Sequence, residues 1–266
     1  MKVILFCGGK GTRLREETEF KPKPMVEIGN IPIIWHIMQR YAWYGFKDFV
    51  LPLGYRGEML KQYFYDYRMR NADFTVDLGS GDVSMHRFAA EVDWKITLCD
   101  TGENAEKGAR IKRVARYLGG GPFMAAYGDG VADIDIEALV AFHKNQGKMV
   151  TFSGVRMPSR FGTVSTNQQG EIDSWQEKPV LNQFTNCGFF VFEPEFLDYL
   201  SEEASCDLEK APLERLAREG QLAMYRHDGF WQCMDTLRDY LLLNSLWESG
   251  RVPWMRYPDA RAPLHV

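Results

Sequence analysis

Hydrophobic and polar positions alternate along this chain with two different periods. Short apolar runs rich in β-branched and aromatic residues, at 2–7, 48–53, 95–99 and 122–127, have the length and composition of buried strands. Between them, apolar residues recur every three or four positions at 31–44, 57–67, 108–117 and 134–144, as on one face of a helix. The first of these helices follows Asn30, read as its cap, with Pro32 in its first turn. Alternating strand and helix predict a mainly parallel sheet covered on both faces. Residues 149–192 differ: three strand-like runs with turns and little helix predict an antiparallel or mixed portion on the same sheet. Helices return at 195–200 and 213–219, and a last one spans 240–248 before Gly250. The expected fold class is α/β, a doubly wound mixed sheet with a small antiparallel portion. No linker or repeat divides the chain, so 1–266 reads as one domain, and Gly119-Gly120-Gly121 reads as a turn. The segment from Arg256 has no periodicity and reads as a frayed end or an intersubunit arm.

Composition narrows the class. A 266-residue chain with 45% apolar and 26% charged residues can bury a substantial core. A net charge of −4 leaves no global basic field for nucleic acid. No apolar run approaches the roughly 20 residues of a membrane span, and 3–7 is too short for a signal peptide. Cys7, Cys99, Cys187, Cys206 and Cys233 are odd in number, scattered and free of C-x-x-C spacing, which fits a reducing cytoplasm. The five histidines pair with no Ser, Cys or carboxylate at a telling spacing.

The N-terminal strand runs into Gly8-Gly9-Lys10-Gly11-Thr12-Arg13, and Lys21-Pro22-Lys23-Pro24 follows closely. The spacing is neither that of a P-loop nor that of a dinucleotide fingerprint, whose third glycine is replaced by Leu14. The chemistry still suits a polyphosphate. Glycines let backbone N–H groups approach phosphate oxygens. Arg13 can grip two oxygens, and Lys23, held between prolines, can neutralise another site. Tyr127-Gly128-Asp129-Gly130 puts a second carboxylate-bearing turn after a strand. Ligands of doubly wound sheets bind beyond the carboxyl ends of strands, so both turns should open onto one cleft. Asp129 there can bind a divalent ion or cap a turn. Asp235, in Phe230-Trp-Gln-Cys-Met-Asp235, needs a partner among large apolar neighbours, or else caps the last helix at Thr236. Two carboxylates with phosphate oxygens and waters suit Mg²⁺. Asp133 and Asp135 read as caps of the following helix. Trp231, Trp247 and Trp254 read as core or interface anchors.

G-G-x-G-T-R-L followed by K-P-K-P-M-V resembles the signature of the sugar-1-phosphate nucleotidylyltransferases. The resemblance recurs at Tyr127–Asp133, Arg160-Phe-Gly162, Gln176-Glu-Lys-Pro179, Asn186-Cys-Gly188 and 229–238. Within that family the branch most similar is glucose-1-phosphate cytidylyltransferase. The resemblance implies a Rossmann-like nucleotide-diphospho-sugar transferase fold, its nucleotide part mainly in 1–147 and its sugar-phosphate part mainly in 148–266. It implies transfer of a cytidylyl group from CTP to α-D-glucose 1-phosphate, releasing pyrophosphate, with Arg13 and Lys23 catalytic and Mg²⁺ on Asp129 and Asp235. Leu5, Gly8, Gly9, Lys10, Gly11, Thr12, Arg13, Lys23, Thr101, Gly108, Arg110 and Gly128 would bind the nucleotide. Tyr127, Gly162, Glu177, Lys178, Asn186 and Gly188 would bind the sugar phosphate, Lys178 taking its phosphate and Glu177 its hydroxyls. The resemblance further implies a homo-oligomer. The loop at 103–107 and Cys187, where the family has glycine, depart from the branch's pattern. They motivate a second reading, the same chemistry with another NTP or another sugar or polyol phosphate. A non-catalytic nucleotide-sugar sensor is a third.

Overall fold

The computed structural model describes residues 1–9, 11–88 and 92–255. Nine strands and six helices carry the argument. The strands are β1 (Val3–Phe6), β2 (Asp48–Leu53), β3 (Lys95–Asp100), β4 (Phe123–Tyr127), β5 (Gly130–Ala132), β6 (Val150–Pro158), β7 (Val180–Phe192), β8 (Leu222–His227) and β9 (Trp231–Cys233). The helices are α1 (Ile33–Trp43), α2 (Gly57–Tyr65), α3 (Lys107–Val114), α4 (Ile136–Gln146), α5 (Ala211–Arg218) and α6 (Leu237–Glu248). The central seven-stranded sheet has the order β8-β6-β7-β4-β1-β2-β3. All neighbours in it are parallel except at β7, which runs antiparallel to both β4 and β6. The mixed portion expected near 149–192 is this reversed strand inside the main sheet together with a small antiparallel ribbon, Thr163–Thr166 with Ile172–Gln176. The chain begins at β1, moves outward to β2 and β3, then returns to β4 on the other side of β1. The carboxyl ends of β1 and β4 therefore flank the crevice where strand order reverses.

Alternate residues of β1 feed opposite faces. Val3 and Leu5 join Ile33, Ile37 and Tyr41 of α1, Leu60 of α2, Leu139 of α4 and Leu243 of α6. Ile4 and Phe6 join Ile111 and Val114 of α3 and Leu213 and Leu216 of α5. Burial on both faces explains why β1 reads as an unbroken apolar run.

Several expected boundaries move for identifiable reasons. Asn30 does not cap a helix. With Gly29 it has a positive φ, and the pair forms the turn of a short hairpin, Glu27–Ile28 with Ile31–Pro32, so α1 starts only at Ile33. Asp135 does cap α4, accepting from the Ala138 N–H at 2.8 Å. Asp133 instead accepts from the Phe230 N–H at 2.7 Å. Thr236 caps α6 in a capping box with Asp239, which leaves the Asp235 carboxylate for other partners. Two exposed ribbons leave the sheet. One, Thr163–Thr166 with Ile172–Gln176, falls in the expected strand-rich region. The other, Ala72–Val76 with Val83–Phe88, lies outside the strands the apolar runs predict. The segment from Arg256 and Lys10 lie outside the described residues.

Arg110 of α3 ties the strand ends together. Its guanidinium is buried and donates to the carbonyls of Leu53 (2.9 Å), Gly8 (3.1 Å) and Glu103 (3.2 Å) and to the Thr101 hydroxyl (2.7 Å). Thr101 in turn donates to the Leu53 carbonyl at 2.7 Å. On the opposite face Trp254, 1% exposed, donates from its indole to His36 Nδ1 at 3.2 Å, while His36 Nε2 bonds the Ile28 carbonyl at 3.1 Å. Burial holds the imidazole neutral and lowers its pKa from 6.5 to about 4, against the carbonyls of Ile28 and Ile31, which favour the charged form.

Two outcomes follow. Arg110→Met leaves three carbonyls and a hydroxyl short of a charged donor and should cost roughly 3 kcal/mol, read as a lower urea midpoint. Below pH 6.5 the unfolded His36 takes up a proton that the folded one refuses down to about pH 4. The His36 contribution is therefore complete above pH 6.5 and should fall by about 3 kcal/mol as pH drops through that window. Urea unfolding across that range should show this fall in the wild type relative to His36→Gln.

Candidate active site

Beyond the carboxyl ends of β1 and β4 lies a cleft of about 660 Å³. The glycine turn forms one wall, with Gly8, Gly9, Gly11, Thr12 and Arg13. Tyr127, Gly128 and Asp129 line it from the end of β4, and Asn186 from β7. Trp231, Cys233 and Asp235 come from β9 and the residues after it, and Lys23 and Pro24 from the proline segment. The two turns read from the sequence thus open onto the same space. Their approach is tight. A Cβ on Gly128 would lie 2.4 Å from the Phe6 carbonyl oxygen, and one on Gly8 would lie 2.0 Å from the Arg110 Cζ. Only glycine fits at Gly128, and a Cβ at Gly8 would push the Arg110 guanidinium off its partners.

The charged groups converge. Lys23 Nζ donates to Asp129 Oδ2 at 2.6 Å and also to Asp235 Oδ1. Arg13 Nη1 lies 3.0 Å from the other Asp235 oxygen, Oδ2. Lys23 is 12% exposed and Asp235 17%, whereas Arg13 is 74% exposed. Burial opposes the Lys23 charge, but the carboxylates of Asp129 and Asp235 overcome this and hold its pKa above the ordinary lysine value. Cys233, beside the carboxylates, is pushed up to about 12, first by burial and then by Asp235 and Asp129, so its thiol stays protonated.

Two carboxylates meeting on one buried ammonium are a donor set that already holds a cation. No group of three or more His, Cys, Asp or Glu side chains suited to a metal occurs among the described residues. A pair of carboxylates fits Mg²⁺, which keeps several waters and takes phosphate oxygens, and does not fit an all-protein cage.

A second network lies beside the first. The Tyr127 hydroxyl donates to Glu209 Oε1 at 2.6 Å and accepts from Asn186 Nδ2 at 2.9 Å. Lys107 pairs with the same Glu209 oxygen at 2.9 Å. Burial, and then Glu209, raise the Tyr127 pKa, so the phenol remains a donor. Gly188 does not line the cleft. It has a positive φ, and a Cβ there would meet the Tyr127 ring at 2.2 Å, so it seats that ring instead.

The remaining expected residues are placed elsewhere. Leu5 is fully buried in the core. Thr101 and Gly108 lie behind the wall, Gly108 packed so closely on the Cys206 carbonyl that a Cβ would be 2.7 Å away. Arg110 lines the cleft, with Nη1 and Nη2 donating to the backbone carbonyls of Leu53, Gly8 and Glu103 and to the Thr101 hydroxyl. Gly162, Glu177 and Lys178 sit at the exposed ribbon, with Lys178 Nζ 3.3 Å from Glu177 Oε1, and none lines the cleft. The 103–107 loop, which departs from the branch's pattern, lines it, and so does Glu209, which the sequence does not single out. Trp231, expected as an anchor, also lines it, whereas Trp254 is a buried anchor.

Comparison with known proteins agrees with this architecture. The chain is 45% identical over 256 residues to the glucose-1-phosphate cytidylyltransferase of Salmonella typhi, covering 96% of this chain and 98% of that protein. Identity falls to 28% over 264 residues for the mannose-1-phosphate guanyltransferase of Gibberella zeae, covering 94% of this chain and 66% of that one. The crystal structure of HddC from Yersinia pseudotuberculosis superposes with a TM-score of 0.66 at 20% identity, covering 92% of this chain and 99% of that one. The model of the nucleotidyl transferase family matches residues 2–249. With glycine turn, proline segment and paired carboxylates on one cleft and a family match over nearly its whole length, the chain belongs to the nucleotidyl transferase family.

Proposed function

We propose that the protein transfers a cytidylyl group from CTP to α-D-glucose 1-phosphate, giving CDP-glucose and pyrophosphate. The observation that carries the chemistry is the convergence of Lys23 and Arg13 on Asp129 and Asp235 beside a glycine turn. The identity of 45% to a glucose-1-phosphate cytidylyltransferase, against 28% to a mannose-1-phosphate guanyltransferase, supports the choice of base and acceptor.

The acceptor phosphate is already largely ionised near neutral pH, because its second pKa is about 6. It needs no general base, in keeping with a cleft whose histidines lie elsewhere. An acceptor oxygen bonds to the α-phosphorus as the bond to the bridging oxygen of pyrophosphate breaks. The protein's work is positioning and charge neutralisation. Backbone N–H groups of the glycine turn face the triphosphate. Arg13 holds the departing pyrophosphate, and Lys23 offsets charge developing on the α-phosphate. Asp129 and Asp235 would hold Mg²⁺, which when bound supplies charge neutralisation to the phosphate oxygens. Asn186 and Tyr127 face the sugar, with Tyr127 set by Glu209 and Gly188. Glu177 and Lys178 take the sugar and its phosphate from the ribbon side. On this reading residues 1–147 mainly serve the nucleotide and 148–266 mainly the sugar phosphate.

No helix among the described residues is long and apolar enough to cross a membrane. The proposal includes a cytoplasmic location, supported by five free cysteines. It also includes a homo-oligomer. The unpaired ribbon Ala72–Val76/Val83–Phe88 supports it, since the cross-strand pairs Phe74–Met85 and Val76–Val83 put four apolar side chains on one exposed face.

Pyrophosphate release with Mg²⁺ and glucose 1-phosphate is expected with CTP and not with UTP, dTTP, ATP or GTP. Release with another nucleotide instead would move the base specificity, and silence with every nucleotide would overturn the reading. Lys23→Ala and Asp235→Asn should each lower kcat about a hundredfold, and near-normal turnover in both would remove them from the chemistry.

A further inference from the structure

We infer that Lys23 and Arg13 are resident counter-ions of the metal carboxylates, and that metal ion and polyphosphate enter the cleft as a thermodynamically linked pair. In this exchange the two cations leave Asp129 and Asp235 for phosphate oxygens as the metal takes the carboxylates. The inference rests on the metal assignment made above.

The two side chains assigned to phosphate are the same two that occupy the carboxylates. Lys23 Nζ is 2.6 Å from Asp129 Oδ2 and is hydrogen-bonded to Asp235 Oδ1 as well. Arg13 takes Asp235 Oδ2 at 3.0 Å, so both oxygens of Asp235 are engaged. Mg²⁺ needs carboxylate oxygens at about 2.0–2.1 Å. A metal on Asp129 and Asp235 would therefore stand against the Lys23 ammonium, with like charges a few ångströms apart in a half-buried site.

Charge balance makes the linkage reciprocal. The quartet holds two positive and two negative side chains. Adding only the metal leaves two extra positive charges on it. Adding only the polyphosphate draws both cations away and leaves two bare carboxylates beside phosphate. Adding both lets each carboxylate and each cation keep a partner of opposite sign. Each ligand therefore tightens the other by the same factor.

The fold restricts how the exchange occurs. Lys23 lies between the buried prolines Pro22 and Pro24 and opens the 3₁₀ turn Lys23–Met25, whose Met25 N–H donates to the Pro22 carbonyl at 2.8 Å. Its backbone is pinned, so the ammonium changes partner by side-chain torsions alone. Arg13 is mostly exposed and moves with less restraint.

The test is Mn²⁺ binding to the nucleotide-free protein, with free Mn²⁺ read by electron paramagnetic resonance. Lys23→Met and Lys23→Gln, each checked for folding by circular dichroism, should bind Mn²⁺ about tenfold more tightly than wild type. Adding Asp235→Asn to either should abolish the gain. Lys107→Met removes the same charge from the same cleft, but from Glu209, and should change Mn²⁺ affinity by less than about twofold. No gain at Lys23, while Asp235→Asn alone weakens Mn²⁺ binding, would overturn the exchange and leave the metal assignment standing. An equal gain at Lys107 would reduce the effect to the general field of the cleft and overturn it too. Mn²⁺ binding indifferent to both Asp129→Asn and Asp235→Asn would overturn the metal assignment and the inference with it.

Discussion

The structure depends on how closely β1 and β4 end side by side. Gly128, directly after β4, must be glycine because the Phe6 carbonyl takes the space a Cβ would fill, and Gly8, two residues after β1, leaves room for the buried Arg110 guanidinium. That proximity brings the glycine turn and Asp129 to one crevice. The Leu53 carbonyl accepts from the Thr101 N–H at 3.0 Å and the Gly8 carbonyl from the Tyr55 N–H at 3.4 Å, and one buried guanidinium and one threonine hydroxyl give them further donors. Arg110, which sequence similarity assigns to the nucleotide, supplies that guanidinium.

The glycine turn gains little from a helix dipole. The helix that follows it, Arg15–Thr18, is a single turn, too short for a strong positive end. Positive charge for a polyphosphate must come from side chains, and the chain supplies it from both sides of that turn with Arg13 and Lys23. An unpaired lysine only 12% exposed would be costly to keep charged, so the structure pairs it with two acids. The same two acids suit a divalent ion, so the proposed catalytic cations and the proposed metal ligands form one cluster.

The legible parts of the fold were local in origin. Runs buried on both faces announced β1, β2 and β4, and glycine and proline announced the turns beside them. The hairpin at Ala72–Val76 was readable in its alternation and in Gly79-Ser80-Gly81, but the same pattern also describes a solvated loop. Asn30 shows the converse: one residue type serves both helix caps and positive-φ turns, and Gly29 before it decides for the turn. Glu209 could not be read at all, and Lys107 only as the last residue of the departing 103–107 loop. They are 102 positions apart, Glu209 comes from a polar loop before α5, and only the sheet brings both to Tyr127. Family resemblance assigns Gly188 and Asn186 to the sugar phosphate, but the physical role of Gly188, making room for the Tyr127 ring, emerges only from the packing.

Strand β7 joins the two halves of the proposed site. Its last residues, from Cys187 to Phe192, are buried in the sheet, while its first, from Val180, pair with β6 beyond the sheet edge and carry the ribbon with Glu177 and Lys178. Asn186 stands at the changeover, opposite Gly154, where the register of β6 and β7 shifts. A bulge at that point bends a two-stranded arm and aims its outer end. Lys23 stands on a backbone pinned by prolines, whereas Lys178 stands on an exposed arm that Asn186 links to the cleft. On the proposed roles, nucleotide geometry is set by the rigid side and acceptor geometry by the arm. Differences in acceptor among related chains should then arise from the ribbon and the β6–β7 bulge more than from the glycine turn.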